Sequence, residues 1–183
     1  MSLDHAILAF VNEQARSGYD LKKAFDDSIA HVWPANQSQI YQTLARLLKQ
    51  GMVKMSVVQQ EGKPNRKVYS ITPSGQAELR RWLAAPLPIN NLREAFVIQF
   101  FFADAITLEE LVELLEERAR AHHARLEFFR QARKGQDETP PKGRWDKVLH
   151  PLTVELGIAL DETWLAWAER AKSQVKALPK RNR

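Results

Sequence analysis

Apolar residues recur along this chain mostly at helical spacing, and that rhythm breaks once, where two β-branched and aromatic runs stand close together. Leu3, Ala6, Ile7, Phe10 and Val11 predict a first helix that starts behind Ser2 and runs to about Glu13. Ser17 and Asp20 form an S-x-x-D capping box and open a second helix with Leu21, Ala24 and Phe25 on its buried side. The segment HVWPAN breaks the pattern at Pro34, and Trp33 is expected to pin this connection in the core. In NQSQIYQTLARLLKQG, Ile40, Leu44, Leu47 and Leu48 form the apolar stripe of a third helix, with Gly51 as its stop. MVKMSVVQQ and RKVYSIT then read as strands joined by EGKPN, a Gly/Pro/Asn cluster that makes a hairpin tip. Thr72 caps a fourth helix that takes Pro73 at its first position, with Leu79, Trp82 and Leu83 along its apolar edge.

This order is the layout of a winged helix-turn-helix with a two-stranded wing. APLP, ending at Pro88, marks the boundary, which divides the chain into a winged helix-turn-helix domain over 1–86 and a helical domain over 87–183. In the second part, REAFVIQFFFAD is too uniformly apolar for a surface helix and is expected to be buried on most sides. Thr107 and Glu110 form another capping box. Leu108, Leu111, Leu115, His122, Leu126 and Phe129 follow with the mean step of a coiled-coil seam, so a partner helix is implied. KGQDETPPKG reads as a flexible loop. Leu149, Leu152, Leu156, Leu160, Trp164, Ala168, Ala171, Val175 and Leu178 then mark one long last helix with Pro151 in its first turns. Two long amphipathic helices beside one short one make a thin core, and such a domain is expected to complete itself against a second copy of the chain.

The third helix has a second face. At about 100° per residue, Ser38, Gln42, Ala45 and Lys49 lie opposite the apolar stripe, flanked by Gln39, Tyr41 and Arg46. Amides and guanidiniums can make paired hydrogen bonds to purine edges, and small residues let a helix axis approach base pairs closely. No carboxylate, which phosphates would repel, lies in this helix. Charge sharpens the picture: Arg46, Lys49, Lys54, Lys63, Arg66 and Lys67 face the single acid Glu61 between Asn36 and Thr72, whereas the second half is nearly balanced. A basic hairpin, with Lys63, Asn65, Arg66 and Lys67 at or beside its tip, next to a groove-sized helix is a coherent footprint for double-stranded DNA.

Composition excludes more than it identifies. The 183 residues carry a formal net charge of +5 and no cysteine, so a disulfide or thiol switch is impossible. The start MSLDHAILAF lacks the pattern of a secretory signal and no apolar run approaches a membrane span, so a cytoplasmic protein with no membrane contact is expected. Glycine loops for phosphates, G-x-S-x-G and H-E-x-x-H are absent, and the acidic pairs Glu109/Glu110 and Glu116/Glu117 belong to a charged helix face, so no enzymatic activity is expected. His122 and His123 are adjacent and diverge by about 100° on a helix, so neither metal nor cofactor is expected. Tyr19 and Tyr41 either donate hydroxyls to phosphates or pack between helices. Phe96, Phe100, Phe101, Phe102, Phe128, Phe129, Trp145, Trp164 and Trp167 either line a pocket for a planar effector or, the favoured reading at this spacing, form core and dimer interface.

HAILAF, SGYDLKKAF, QIYQTLARLLKQGMV and KVYSITPSGQAEL resemble, in order and spacing, the DNA-binding domain of PadR-type transcriptional regulators. REAFVIQFFFAD, ITLEELVELLEER and the Trp-containing last helix are similar to the virulence-activator-type C-terminal domain of the longer members. The resemblance implies a homodimer whose winged domains read an operator and whose C-terminal helices interlock. It places Ser38, Gln39, Tyr41, Gln42, Arg46 and Lys49 on the recognition helix and Lys63, Asn65, Arg66 and Lys67 on the wing, with Tyr19 as a candidate backbone contact. Leu108, Leu111, Leu115, Leu126, Phe129, Leu156, Leu160 and Trp164 become candidates for dimerisation. The wing tip departs from the family in carrying Pro64. Some PadR-type regulators respond to phenolic or drug-like compounds, so a small aromatic effector is a candidate ligand. The reading is a sequence-specific regulator, taken as a repressor on a palindromic operator; the alternative is a protein-interaction module whose winged domain no longer binds DNA.

Overall fold

A computed structural model of the chain describes residues 2–29, 33–59, 65–89, 93–138 and 146–179. They form two compact units, Met1–Ile89 and Asn90–Arg183. The first holds α1 (Ser2–Glu13), β1 (Arg16–Ser17), α2 (Gly18–Ser28), α3 (Gln37–Lys49), β2 (Val53–Val58), β3 (Arg66–Ile71) and α4 (Pro73–Ala84). The second holds α5 (Ala95–Phe101), a 3-10 turn (Ala103–Ala105), α6 (Leu108–Glu138) and α7 (Asp146–Lys176). The architecture is mainly helical with a winged helix-turn-helix at its N-terminal end.

The wing is the hairpin expected, and its sheet gains a short third strand. β2 and β3 pair antiparallel from Val53 opposite Ile71 to Val58 opposite Arg66, but β1 adds a third strand on the far edge of β3, with Arg16 opposite Tyr69 and Ser17 opposite Val68. Two residues are too few to show alternation in sequence. They pair because Ser17 is extended (φ −78°, ψ 166°) as the N-cap of α2, where its hydroxyl accepts from the Asp20 amide and the Asp20 carboxylate accepts from the Ser17 amide.

The first unit has one core. Ile7, Leu8 and Val11 of α1, Leu21 and Phe25 of α2, and Ile40, Leu44 and Leu47 of α3 are almost fully buried, with Val53, Tyr69 and Leu79 closing it. Each such aliphatic or aromatic side chain contributes about 1.5–3 kcal/mol relative to an exposed one. Three expectations fail at its rim. Leu48 is exposed, and buried Thr43 takes the remaining place on the inner face of α3. Trp33 is exposed too, because Ala35 supplies the core contact of that connection. Leu83 also points outward, while Trp82 stacks on His5 at 4.5 Å and His5 Nε2 lies 3.0 Å from Glu78, joining α1 to α4. Hydrogen bonds from Arg81 and then His5 pull the Glu78 carboxyl down to about 2.

In the second unit α6 and α7 run antiparallel: the partners His122–Asp161, Phe129–Gly157 and Arg133–Pro151 follow in opposite chain directions. This corrects the expected role of the α6 seam. Leu111, Leu115, Leu126 and Phe129 are already buried within one chain, and Leu108 and Trp164 are half-buried against the same core. The partner helix the seam requires is α7 of the same chain. By contrast Leu156 (62% exposed) and Leu160 (53% exposed) lie on the outer face of α7 with Leu149 and Leu152. α5 also departs from expectation, since Phe96 alone is buried while Val97, Ile98, Phe101 (78% exposed) and Phe102 face outward.

A polar cluster sits inside this apolar joint. Asp161 is fully buried and accepts from Arg125 Nε and Nη2 at 2.7–3.0 Å. His122 Nδ1 lies 2.6 Å from the same carboxylate, and Arg118 Nε donates to His122 Nε2 at 3.1 Å, so the imidazole donates at Nδ1 and accepts at Nε2. The ring stacks on Trp164 at 5.2 Å. Burial by itself would raise the Asp161 carboxyl, but the hydrogen bonds from Arg125 and His122 outweigh it and hold it below its ordinary range. A depressed carboxyl stabilises the fold above its unfolded value and loses that contribution as pH falls through the folded value. Asp161→Ala, which strands His122, is expected to cost about 2 kcal/mol in urea unfolding near neutral pH, with the gap to wild type closing as the acid range is entered.

Candidate nucleic-acid interface

The inner stripe of α3 is held by α1 and α2, so its other side is left to solvent. Gln37, Ser38, Gln39, Tyr41, Gln42, Ala45 and Lys49 are exposed there. Asn36 caps the helix in extended geometry (φ −82°, ψ 164°): its Oδ1 accepts from the Gln39 amide at 2.9 Å, and Gln39 Oε1 accepts from the Asn36 amide at 2.9 Å. Gly51, at φ 70°, ends the helix in the left-handed region that glycine tolerates. Gln42 Nε2 reaches the Ser38 hydroxyl at 3.5 Å, a contact at the limit for a hydrogen bond, so both groups stay available to a groove.

The structure separates the two tyrosines. Tyr19, on the first turn of α2, is exposed. The Tyr41 ring lies against the Gly18 backbone, where a Cβ would come within 2.5 Å of the ring, so Tyr41 packs between α2 and α3 while part of it stays in solvent. The close approach of the two helices therefore depends on the glycine in SGYD.

Two of the expected cationic contacts are already occupied. Arg46 Nη2 donates to Asp4 Oδ1 at 2.6 Å, Nε to Asp4 Oδ2 at 3.2 Å, and Nη2 also to Thr43 Oγ1 at 3.3 Å. Its side chain is 37% exposed and that of Asp4 only 14%. The expectation that Arg46 is free to enter the groove is therefore corrected: it is turned toward α1. Swinging Arg46 onto a base would break this bidentate pair, which offsets part of the roughly 1–3 kcal/mol that a base contact is worth. Arg66 pairs with Asp20, whose Oδ2 also accepts from the Ser17 amide and hydroxyl at 3.0 and 2.9 Å, so the outer end of the hairpin, beside its tip, is tied to the start of α2. Lys54, Asn65 and Lys67 are exposed on the hairpin, and Lys63 lies outside the described residues.

Sequence reasoning missed the Asn36/Gln39 box although N-x-x-Q is a legible variant of the capping pattern. Asp4 could not have been found that way, since 42 residues separate it from Arg46. Among the described residues no group of three or more His, Cys, Asp or Glu is placed to hold a metal ion, and no helix is long and apolar enough to cross a membrane.

Residues 7–81 match the transcriptional regulator PadR-like family, and residues 92–176 match the virulence activator alpha C-terminal family. The negative transcriptional regulator PadR of Bacillus subtilis is 30% identical over 125 residues, 68% of this chain and 69% of that protein. The chain belongs to the PadR family. A protein of Mycobacterium tuberculosis, described as a probable transcriptional regulator, is 49% identical over 87 residues, which span 48% of this chain and 46% of that relative's length. In fold, the PadR-family chain is similar to Bacillus subtilis PadR in complex with operator DNA (TM-score 0.84, 24% identity, 96% of this chain and 99% of that one). It is likewise similar to the Vibrio cholerae virulence activator AphA (TM-score 0.79, 24% identity, 97% and 99%) and to Bacillus subtilis PadR in complex with p-coumaric acid (TM-score 0.77, 22% identity, 96% and 96%). These relatives are transcriptional regulators, a class that carries out no covalent chemistry.

Because Gln39 Oε1 is engaged at its own helix start, Gln39→Ala in this PadR-family chain is expected to cost about 0.5–1.5 kcal/mol of stability and to leave the preferred DNA sequence unchanged. Thermal unfolding, together with site selection from random duplex DNA, checks both halves.

Proposed function

We propose that this chain is a cytoplasmic, homodimeric repressor that binds a palindromic operator in double-stranded DNA through α3 and the wing. The observation that carries the reading is the outer face of α3, which is free of carboxylates and presents Ser38, Tyr41, Gln42 and Lys49 to solvent while the opposite side is locked into the core. Gln42 is the base reader, an amide suited to adenine N6 and N7. Ser38, Tyr41, Lys49, Asn65 and Lys67 are assigned to the sugar-phosphate backbone, with Tyr19 as a further anchor. Repression is preferred because the Bacillus subtilis relative is a negative regulator; the likeness to the Vibrio cholerae activator is one of fold.

The homodimer is supported by the outer stripe of α7. Leu149, Leu152, Leu156 and Leu160 are exposed in a single chain, follow one face at steps of three and four, and have no apolar cover among the described residues. A second copy presents the same stripe, and two copies bring two α3 helices to two half-sites. An aromatic effector is supported by a cavity of about 450 Å³ between α5 and α7. Phe100 and Trp167 wall it, Val175 and Leu178 extend the apolar side, and Arg170 and Gln174 supply polar groups suited to a planar carboxylate. Such a ligand would act by favouring one dimer arrangement over another.

Sequencing genomic fragments retained by the purified protein tests the reading directly. One recurring palindromic motif is expected, and Gln42→Ala is expected to relax it at one position per half-site at a cost of about 1–3 kcal/mol. Failure to retain any fragment would instead favour the protein-interaction alternative, and retention without a common motif would remove sequence-specific reading. A second prediction concerns assembly. Leu156→Glu with Leu160→Glu is expected to give a folded monomer, because neither side chain belongs to the core of its own chain, and to weaken operator binding strongly by untethering the second half-site. Light scattering and circular dichroism read the two outcomes.

A further inference from the structure

We propose that Asp4, in the first turn of α1, is a specificity-setting residue of the DNA interface that acts by holding the Arg46 guanidinium away from the duplex. This rests on α3 being the DNA-reading helix. The helix carries only two cations, Arg46 and Lys49. Asp4 clasps the first through two nitrogens, and Thr43 takes a further bond from Nη2. What α3 then offers a groove is amide, hydroxyl and methyl chemistry with a single charge near its C-terminal end.

That matters because cations and amides do different work on DNA. A guanidinium that reaches a phosphate adds affinity for every sequence alike, whereas a positioned amide discriminates between bases. Neutralising Arg46 within the protein therefore lowers the background against which Gln42 reads. The carboxylate is suited to the task because it is fixed and mostly shielded: Asp4 stands on a helix that packs Ile7, Leu8 and Val11 into the same core as Ile40 and Leu44. The geometry is also bidentate, which an ammonium could not reproduce.

The test compares full-length wild type with Asp4→Asn, Arg46→Met, the double variant and Arg46→Lys. Each is bound to the duplex motif selected by wild type and to a mixed-sequence duplex over a range of salt. Asp4→Asn is expected to steepen the log-log salt dependence by about 0.9 per subunit, the contribution of one added phosphate contact. It should also tighten binding to the mixed duplex severalfold and so reduce the preference for the selected motif. Arg46→Met should leave the salt slope and the motif as in wild type, and the double variant should behave like Arg46→Met. Arg46→Lys, which cannot span both carboxylate oxygens, should steepen the slope without any change at position 4, so the proposal stays testable should Asp4→Asn fold poorly. If Asp4→Asn and Arg46→Lys keep the parental slope and lose affinity equally on both duplexes, the pair is only a joint between α1 and α3 and the proposal falls. Arg46→Met relaxing the motif at one base pair would also overturn it, by making Arg46 a reader. Wild type that binds no duplex with preference would bring down the DNA-reading assignment itself, a result distinct from either.

Discussion

Burial of one side of α3 is the constraint on which the DNA-facing surface depends. Ile40, Leu44 and Leu47 lock into a core built from α1 and α2, and Thr43 joins them beneath Arg46. With that side fixed, rotation of the helix about its own axis is forbidden, and the positions left to solvent are determined without any polar contact choosing them. The capping box at Asn36 and the left-handed Gly51 then set where the helix begins and ends. Hydrophobic packing orients the face, and hydrogen bonds only trim its ends and neutralise its flank.

The second unit solves a different problem, that of keeping two long helices in a single register. Leucines alone would allow α6 to slide along α7 with little loss. The buried carboxylate of Asp161, met at once by His122 and Arg125, permits one alignment, because any slip strands a charge. At Gly157 the Phe129 ring comes so close that a Cβ would lie 2.3 Å from it, a steric mark at a second level of the same joint.

Much of this was legible in one sequence, for reasons that differ between the two halves. The helices, the hairpin and the caps at Ser17 and Thr72 are local features, and each announces itself within a few residues. The stripe of α3 was visible as well, apart from the exchange of Leu48 for Thr43: the two flank the inner face, and sequence preference favours the leucine although the geometry selects the threonine. What stayed hidden is contact at long range. Neither the Asp4–Arg46 pair nor the Asp20–Arg66 pair has a local signature, so residues that looked like free cations proved to be partnered. The α6 seam was visible as a seam, but periodicity cannot say whether the partner helix comes from the same chain. The outward apolar side chains of Val97, Ile98 and Phe101 in α5 defeated the rule that an apolar segment is a buried one.

The root of the wing is fastened to the start of α4. Thr72 Oγ1 donates to the carbonyls of Gly51 and Met52 at 2.7 and 3.0 Å, the Thr72 amide donates to Met52 at 3.1 Å, and Gly75 lies so close that an added Cβ would meet the Met52 carbonyl oxygen at 2.1 Å. Both strands of the hairpin therefore leave from a welded base. Insertions or deletions between Val58 and Arg66 are absorbed beyond that base and do not propagate to α3 or α4. The reach of the wing can in this way diverge between lineages as an independent trait, while the recognition helix keeps its seat.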